Sequence, residues 1–148
     1  DVAAEVRDRL VPLATHVKPN RFELAFLSGR PVETLGDVVD AARALGVRVV
    51  LASSIPFAGD RLANVVVTSD RASFCTVARD PFVHHGTGDL LTALLTAHCV
   101  DGEDPASAAA FAAGAVAEVI AMSRGTDELQ LHGTGAWHEA PPLPMTAI

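Results

Sequence analysis

The sequence predicts one domain of the α/β class. Helical and strand-like segments alternate along the chain, and one strand-like run is continuously apolar, which is typical of a strand covered on both faces. The chain has 148 residues, of which 49% are hydrophobic, and this is enough for one core. A charged fraction of 20% argues against intrinsic disorder, which needs high charge and low hydrophobicity.

The first half of the chain is predicted to form a helix, a strand, two further helices and a second strand, in that order. Apolar residues recur at helical spacing over 2–13, residues 15–18 form a short β-prone segment, and residues 21–27 form a compact helix. The next helix begins at the cap residue Thr34 and stops at Gly46. Residues 47–51 are apolar and β-branched, which predicts a buried strand of a parallel sheet.

The second half of the chain is predicted to form a β-hairpin, two helices and a C-terminal tail. Segments 63–68 and 72–77 flank a polar tripeptide and form the hairpin. A long apolar helix starts at Gly88 or Asp89 and runs to about residue 100, and another runs from Pro105 to about residue 124. We expect residues 1–132 to form the body of the domain. Residues 133–148, which are rich in proline and have no periodicity, should form an irregular arm.

This strand count is low for an α/β sheet. Two parallel strands and a hairpin leave one edge of the sheet open, and folded proteins usually cover or pair such an edge. We therefore expect more sheet to come from a missing N-terminal segment or from a partner chain.

Composition excludes several partners. The net charge is −7 and the single lysine and ten arginines form no basic patch, so nucleic-acid binding is not expected. The most apolar segment is mostly alanine and is interrupted by Glu118, which predicts a core helix and no membrane span. Cys75 and Cys99 have no disulfide or metal spacing, which predicts packed thiols in a reducing compartment, the cytoplasm.

One glycine-rich segment has the composition of an anion site. Gly86, Thr87 and Gly88 precede Asp89 at the predicted start of an apolar helix, where unpaired N–H groups and the helix dipole attract negative charge. Asp89 either caps the helix or accepts a proton from a substrate hydroxyl. The tetrapeptide His-Gly-Thr-Gly recurs at 132–135, but no acid and no apolar helix follow it, so only the first copy is a candidate site.

Two further segments follow predicted strands. Asn20 and Glu23 are three residues apart, so they form either a capping box or, through oxygen ligands, a site for hydrated magnesium. Ser53 follows the buried strand, where its hydroxyl either contacts phosphate or satisfies the turn.

Together, four ordered segments resemble the C-terminal half of pyridoxal kinases of the ribokinase-like superfamily. They are Lys-Pro-Asn-Arg-Phe-Glu-Leu at 18–24, Val-Val-Leu-Ala-Ser-Ser at 49–54, Gly-Thr-Gly-Asp-Leu at 86–90 and Glu-Leu-Gln-Leu at 128–131. The resemblance implies a three-layer α/β/α ribokinase-like (Rossmann-like) sheet that is incomplete in this chain. Members of the family are about twice as long, and their N-terminal half is the part without a counterpart here.

The resemblance also implies a role for each candidate residue. Asp89 would be the general base for the hydroxymethyl group of pyridoxal, and the amides of Gly86, Thr87 and Gly88 would form an anion hole. Asn20 and Glu23 would position Mg²⁺ through water, and Ser53 would contact ATP phosphate. ATP and Mg²⁺ are the implied cofactors, with a monovalent cation such as K⁺ as a further candidate, and a homodimer is the implied assembly.

Two alternatives remain beside pyridoxal phosphorylation. Sugar and nucleoside kinases of the same superfamily share the Gly-x-Gly-Asp segment. A fragment that binds nucleotide without turnover would also retain these motifs. Related hydroxymethylpyrimidine kinases typically carry Cys at the position of Asp89, so the resemblance favours the vitamin B6 substrate.

Overall fold

The computed structural model describes residues 1–81, 84–132 and 137–148. The α-helices in these ranges are α1 (Val2–Glu5), α2 (Arg21–Ser28), α3 (Leu35–Ala44), α4 (Thr87–Val100) and α5 (Pro105–Met122). The strands are β1 (His16–Val17), β2 (Val49–Phe57), β3 (Arg61–Val67), β4 (Ala72–Ala78) and β5 (Thr146–Ala147). After α1 the chain stays helical through a π-helical turn, Val6–Leu10, and a 3-10 turn, Val11–Leu13; a second 3-10 turn spans Trp137–Glu139.

The five strands form one sheet in the order β1-β2-β3-β4-β5. β1 pairs with β2 in parallel, and the other three pairs are antiparallel. The predicted α/β class and the predicted hairpin between β3 and β4 are confirmed. The two strands predicted to be parallel are β1 and β2, and their parallel pairing is confirmed. The antiparallel β2–β3 pair was not predicted; a tight turn connects these strands, and only antiparallel strands can be joined in that way.

Helices cover both faces of the sheet. One buried cluster joins α2 and α3 to alternate residues of β2 and β3, among them Val50, Ala52 and Val65. The other joins α4 and α5 to the intervening residues, such as Leu51 and Val66. Both faces of β2 are therefore apolar, which explains its continuous hydrophobic run and confirms the predicted three layers.

Strand β2 is longer than its sequence predicts. The strand was expected to end near residue 51, but it continues to Phe57 and forms a hairpin with β3. A break in the β2–β3 register between Ala52 and Ile55 shows a bulge, and Ser54 within it has a positive φ of 59°. The two serines lie in this bulge. Because small polar residues are also typical of turns, the sequence predicted the end of the strand here, although the strand continues.

The apolar face of the amphipathic N-terminal helical segment is exposed. Its apolar stripe includes Val2, Leu10 and Leu13, which are 79%, 60% and 82% exposed. Beside it, β1 pairs with β2 alone among the described strands, so the other edge of β1 is open as expected. The apolar pattern identified a surface suited to burial, and the described residues do not cover it.

The described tail residues 137–148 are mostly irregular, as expected, but they pack on the body of the fold and do not form a separate arm. β5 adds an antiparallel strand at the β4 edge, with Phe74 opposite Thr146. Leu143 and Met145 pack against the α4–α5 cluster, and the Leu143 N–H donates to the Ala110 carbonyl at 3.1 Å. Two paired residues are too short a strand to show as periodicity, so only the tertiary contacts reveal it.

Small residues in α5 allow the tail to approach closely. A Cβ at Gly114 would lie 2.5 Å from the Pro141 carbonyl oxygen. We expect Gly114→Ala to lower the melting temperature, because overpacking costs about 1–3 kcal/mol while alanine returns only about 1 kcal/mol of helix propensity. Gly36→Ala in α3 is the matched control, since its Cβ would meet only the Thr34 hydroxyl, at 3.7 Å. A rise in melting temperature for Gly114→Ala would contradict this packing.

Helix α5 is also long and apolar enough, by length and composition, to cross a membrane. Its mean hydropathy is 1.5, and half of it is buried inside the fold. The core helix of a globular protein meets the same criteria, so this one helix is weak evidence for a span. Four of its buried alanines, at 108, 109, 112 and 113, pack in one cluster with residues of the sheet, as a core helix requires.

The two cysteines are free and differ in burial. Burial raises the pKa of the Cys75 thiol to about 11, and burial followed by the nearby Glu103 carboxylate raises that of Cys99. Because the thiolate is the reactive form, we expect iodoacetamide at pH 8 to modify Cys99 about tenfold or more faster than Cys75. Peptide mass spectrometry measures the two rates, and equal rates in the native protein would contradict the burial of Cys75. Unfolding in guanidinium chloride should abolish the difference.

Candidate functional site

The amino end of α4 is the centre of the candidate site. Gly86 precedes the helix in a left-handed conformation, with φ of 92°, which favours glycine. The first helical bond runs from the Leu90 N–H to the Gly86 carbonyl at 2.9 Å, so the N–H groups of Thr87, Gly88 and Asp89 have no intrahelical acceptor. Among the described residues, no side chain caps this helix.

This missing cap distinguishes α4 from the other α-helices that the structure describes. Side chains of Asp1, Asn20, Thr34 and Asp104 cap α1, α2, α3 and α5. The sequence therefore provides a side-chain acceptor at four helix starts and two glycines at the fifth. An uncapped helix start with free amides has the geometry and the partial positive charge that can bind an anion.

Asp89 occupies the third position of α4, and Asp37 occupies the same position of α3. The Asp37 carboxylate accepts from the Thr34 N–H at 2.9 Å, and this bond lowers the pKa of Asp37. The Asp89 carboxylate is exposed and has no hydrogen bond among the described residues. Capping, the first of the two roles considered for Asp89, is therefore not what this side chain does here.

The Glu-Leu-Gln-Leu segment at 128–131 lies against the glycine-rich loop that starts α4. A Cβ at Gly86 would lie 3.5 Å from Cδ1 of Leu129, which belongs to the Glu-Leu-Gln-Leu segment. Nε2 of the buried His84 is 3.0 Å from the Thr126 carbonyl oxygen, which ties the start of the loop to the same region. The second His-Gly-Thr-Gly copy begins at His132, and its other residues, 133–135, lie outside the described residues.

Asn20 and Glu23 form the capping box that was one of their two expected roles. The Asn20 side chain accepts from the Glu23 N–H at 2.9 Å, and Oε2 of Glu23 accepts from the Asn20 N–H at 2.7 Å. The box uses one carboxylate oxygen of an exposed side chain. The second oxygen keeps the acceptor geometry that water or a hydrated cation requires, so the two roles are compatible.

The β2 bulge brings Ser53 to the end of β1. Ser53 forms a parallel bridge with Asn20, and its N–H donates to the Pro19 carbonyl at 2.9 Å. The Lys18 ammonium lies 3.4 Å from the Ser53 hydroxyl and 3.8 Å from the Cβ position of Gly88. The predicted residues at 20, 53 and 88 therefore converge on one region, at the carboxyl end of the parallel pair.

The site has few groups for direct metal binding. Within the part of the chain that the structure describes, no three His, Cys, Asp or Glu side chains lie close enough to hold a metal ion. Mg²⁺ needs no such cluster, because it retains several waters and takes one or two carboxylates together with phosphate oxygens. The exposed Glu23 carboxylate beside the Asn20 amide fits that requirement.

Sequence reasoning missed two residues of this region. Lys18 precedes the Asn-x-x-Glu segment and was not singled out, although a lone lysine in a chain of ten arginines is a usable signal. His84 supports the glycine loop only through a contact 42 residues along the chain, which no local pattern encodes.

Solved kinase structures share this arrangement of layers and the ribokinase-like fold. The pyridoxal kinase of Trypanosoma brucei superposes with a TM-score of 0.89 at 25% identity, and the match covers 99% of this chain and 56% of that one. The pyridoxal kinase of Staphylococcus aureus, solved in complex with AMP-PCP and pyridoxal, gives 0.81 at 23% identity over 99% of this chain and 58% of that one. The chain therefore has the ribokinase-like α/β fold and corresponds to rather more than half of each of these two structures.

The chain belongs to the phosphomethylpyrimidine kinase family, which it matches over residues 1–136. A pyridoxine/pyridoxal/pyridoxamine kinase of Bordetella bronchiseptica is 39% identical over 140 residues, which cover 89% of this chain and 50% of that protein. The chain thus spans about half the length of the curated relatives it matches. These findings confirm the resemblance to half of a pyridoxal kinase.

Proposed function

We propose that this chain supplies the nucleotide-binding and catalytic part of a pyridoxal kinase, which transfers the γ-phosphoryl group of ATP to the hydroxymethyl oxygen of pyridoxal. The observation that carries the proposal is the uncapped start of α4, with free amides beside an unengaged Asp89. The names of the relatives support pyridoxal as the acceptor, and Asp89 stands where hydroxymethylpyrimidine kinases typically carry cysteine.

In this proposal Asp89 is the general base. Its carboxylate takes the proton of the pyridoxal hydroxymethyl group as that oxygen forms a bond to the γ-phosphorus. The bond from the γ-phosphorus to the β–γ bridging oxygen breaks, and ADP leaves with the electron pair. The exposed position of Asp89 on the first turn lets a substrate hydroxyl approach the carboxylate and the amides together.

The amides of Gly86, Thr87 and Gly88 stabilise the negative charge on the transferred group. Phosphoryl transfer depends mainly on positioning and on fixed dipoles that match spread negative charge, and a helix start provides both without reorganisation. Ser53 would contact an ATP phosphate, and the Asn20–Glu23 pair would hold a bound Mg²⁺ through water. When bound, Mg²⁺ neutralises phosphate charge; K⁺ is a further candidate cation.

A second candidate, a chain that binds nucleotide but does not turn over alone, is favoured by the open edge of β1 and the exposed N-terminal stripe. A surface of this kind needs a covering segment or a partner copy. With the kinase function we also propose a homodimer and a cytoplasmic location. Sedimentation of the purified chain measures its assembly state.

The deciding experiment measures phosphorylation of pyridoxal by the 148-residue chain with Mg-ATP. A hybrid in which this chain replaces the homologous half of the Bordetella bronchiseptica kinase is measured in parallel. Turnover by both supports the full proposal, and turnover by the hybrid alone supports the second candidate for the isolated chain. A folded hybrid that phosphorylates hydroxymethylpyrimidine or a sugar in preference to pyridoxal would overturn the assigned substrate.

A further inference from the structure

Lys18 occupies an unusual electrostatic position. Its ammonium lies between the Ser53 hydroxyl, at 3.4 Å, and the first turn of α4, where the Cβ position of Gly88 is 3.8 Å away. The side chain is half-buried, and it takes part in no ion pair among the described residues. The lysine thus places a positive charge beside the positive end of a helix dipole.

The Lys18 ammonium and the positive amino end of the α4 dipole repel each other at this separation. Cations are favoured at the carboxyl end of a helix and disfavoured at its amino end, and partial burial weakens the screening of that repulsion by water. The arrangement becomes favourable when an anion lies between the ammonium and the free amides of α4. The Ser53 hydroxyl, which accepts from the Lys18 ammonium and donates to the Pro19 carbonyl, fixes the position of the ammonium on this side.

We propose that Lys18 binds the terminal phosphates of the nucleotide, as a cationic residue of the site beyond those considered above. The inference depends on the proposed kinase function, since it takes the anion to be a phosphate group of ATP. Lys18 comes from the end of β1, Ser53 from the bulge of β2 and the amides from α4, so an ammonium, a hydroxyl and a helix start enclose the phosphates from three elements. The charge of Lys18 compensates part of the negative charge that spreads over the transferring group.

The chain offers a direct chemical test, because Lys18 is its only lysine. Acetylation with an amine-reactive ester should modify Lys18 and the α-amino group of Asp1, which serves as the internal reference. We expect Mg-ATP to slow acetylation of Lys18 about tenfold or more while adenosine does not, because adenosine lacks the phosphates. The rate at Asp1 should not change with either ligand.

Binding measurements on variants complete the test. Lys18→Met should weaken Mg-ATP by about 10- to 100-fold and leave adenosine binding unchanged, since a charge-assisted contact is lost. Arg48→Met is the matched control: it removes the same charge from an exposed residue at the opposite end of β2 and should not change ATP affinity. Tight ATP binding with no protection of Lys18 would overturn this proposal and leave the kinase function standing. No binding of ATP by the chain or by the hybrid would overturn both.

Discussion

Asp89→Asn should reduce phosphoryl transfer by roughly 10²- to 10⁴-fold, the range for loss of a general base. The amide has the same shape as the carboxylate but accepts no proton, so binding of Mg-ATP should change little. Initial rates of pyridoxal phosphate formation, measured in the hybrid or in the chain if it turns over, provide the test. The effect should appear in kcat, because the proton moves only in the transition state.

The control is Asp101→Asn, at the carboxyl end of the same helix. Asp101 is also exposed, so the variant makes the same chemical change at the end of α4, about three turns from Asp89. We expect it to keep the parent rate. An unchanged rate in Asp89→Asn would remove Asp89 from the mechanism, whereas equal losses in both variants would indicate damage to the helix.

Gly88→Ala should weaken nucleotide binding without destabilising the fold. Within the described part of the chain, a Cβ at this position meets only the Lys18 ammonium, at 3.8 Å, and the backbone needs no left-handed conformation. The methyl group would instead occupy the space where a phosphate approaches the amides. We expect about a tenfold or greater loss of Mg-ATP affinity by titration calorimetry, equivalent to about 1.4 kcal/mol, with an unchanged melting temperature.

Gly36→Ala provides the comparison for this variant. Gly36 is the second residue of α3, as Gly88 is of α4, but α3 begins with a side-chain cap from Thr34. The same substitution at a capped helix should leave nucleotide affinity unchanged. Unchanged affinity in Gly88→Ala as well would contradict close approach of a phosphate to the α4 amides.

The asymmetry between the helix starts explains why these two variants should have large effects. Thr34 and Asp37 satisfy the first amides of α3 from within the protein, so nothing remains there for a ligand. At α4 the chain places Gly86 and Gly88, and the Asp89 carboxylate has no hydrogen bond to the residues that the structure describes. Beyond its first turn, α4 is stabilised by Leu91 and Leu95, which pack in the buried cluster against the sheet and offset the missing cap.

Local patterns were sufficient for most of the secondary structure and for the candidate residues. Capping boxes, glycine stops and apolar periodicity depend on neighbours within four residues, so the helices from residue 21 onward appear near their predicted positions. The bulge at Ser54 and the two-residue strand β5 were missed. Each is defined by pairing with a distant strand, and their own residues have turn-like or irregular composition.

The sequence by itself determined which residues have the chemistry for phosphate and which segments are helical, because both are properties of short stretches of chain. Only the tertiary structure decided that Ser53 and Gly88 meet at Lys18, and that Asp89, unlike Asp37, does not cap its helix. These outcomes depend on how β1, β2 and α4 are placed relative to one another. Burial of the two core clusters on opposite faces of the sheet sets that placement, since it is the sum of many long-range contacts that no single motif encodes.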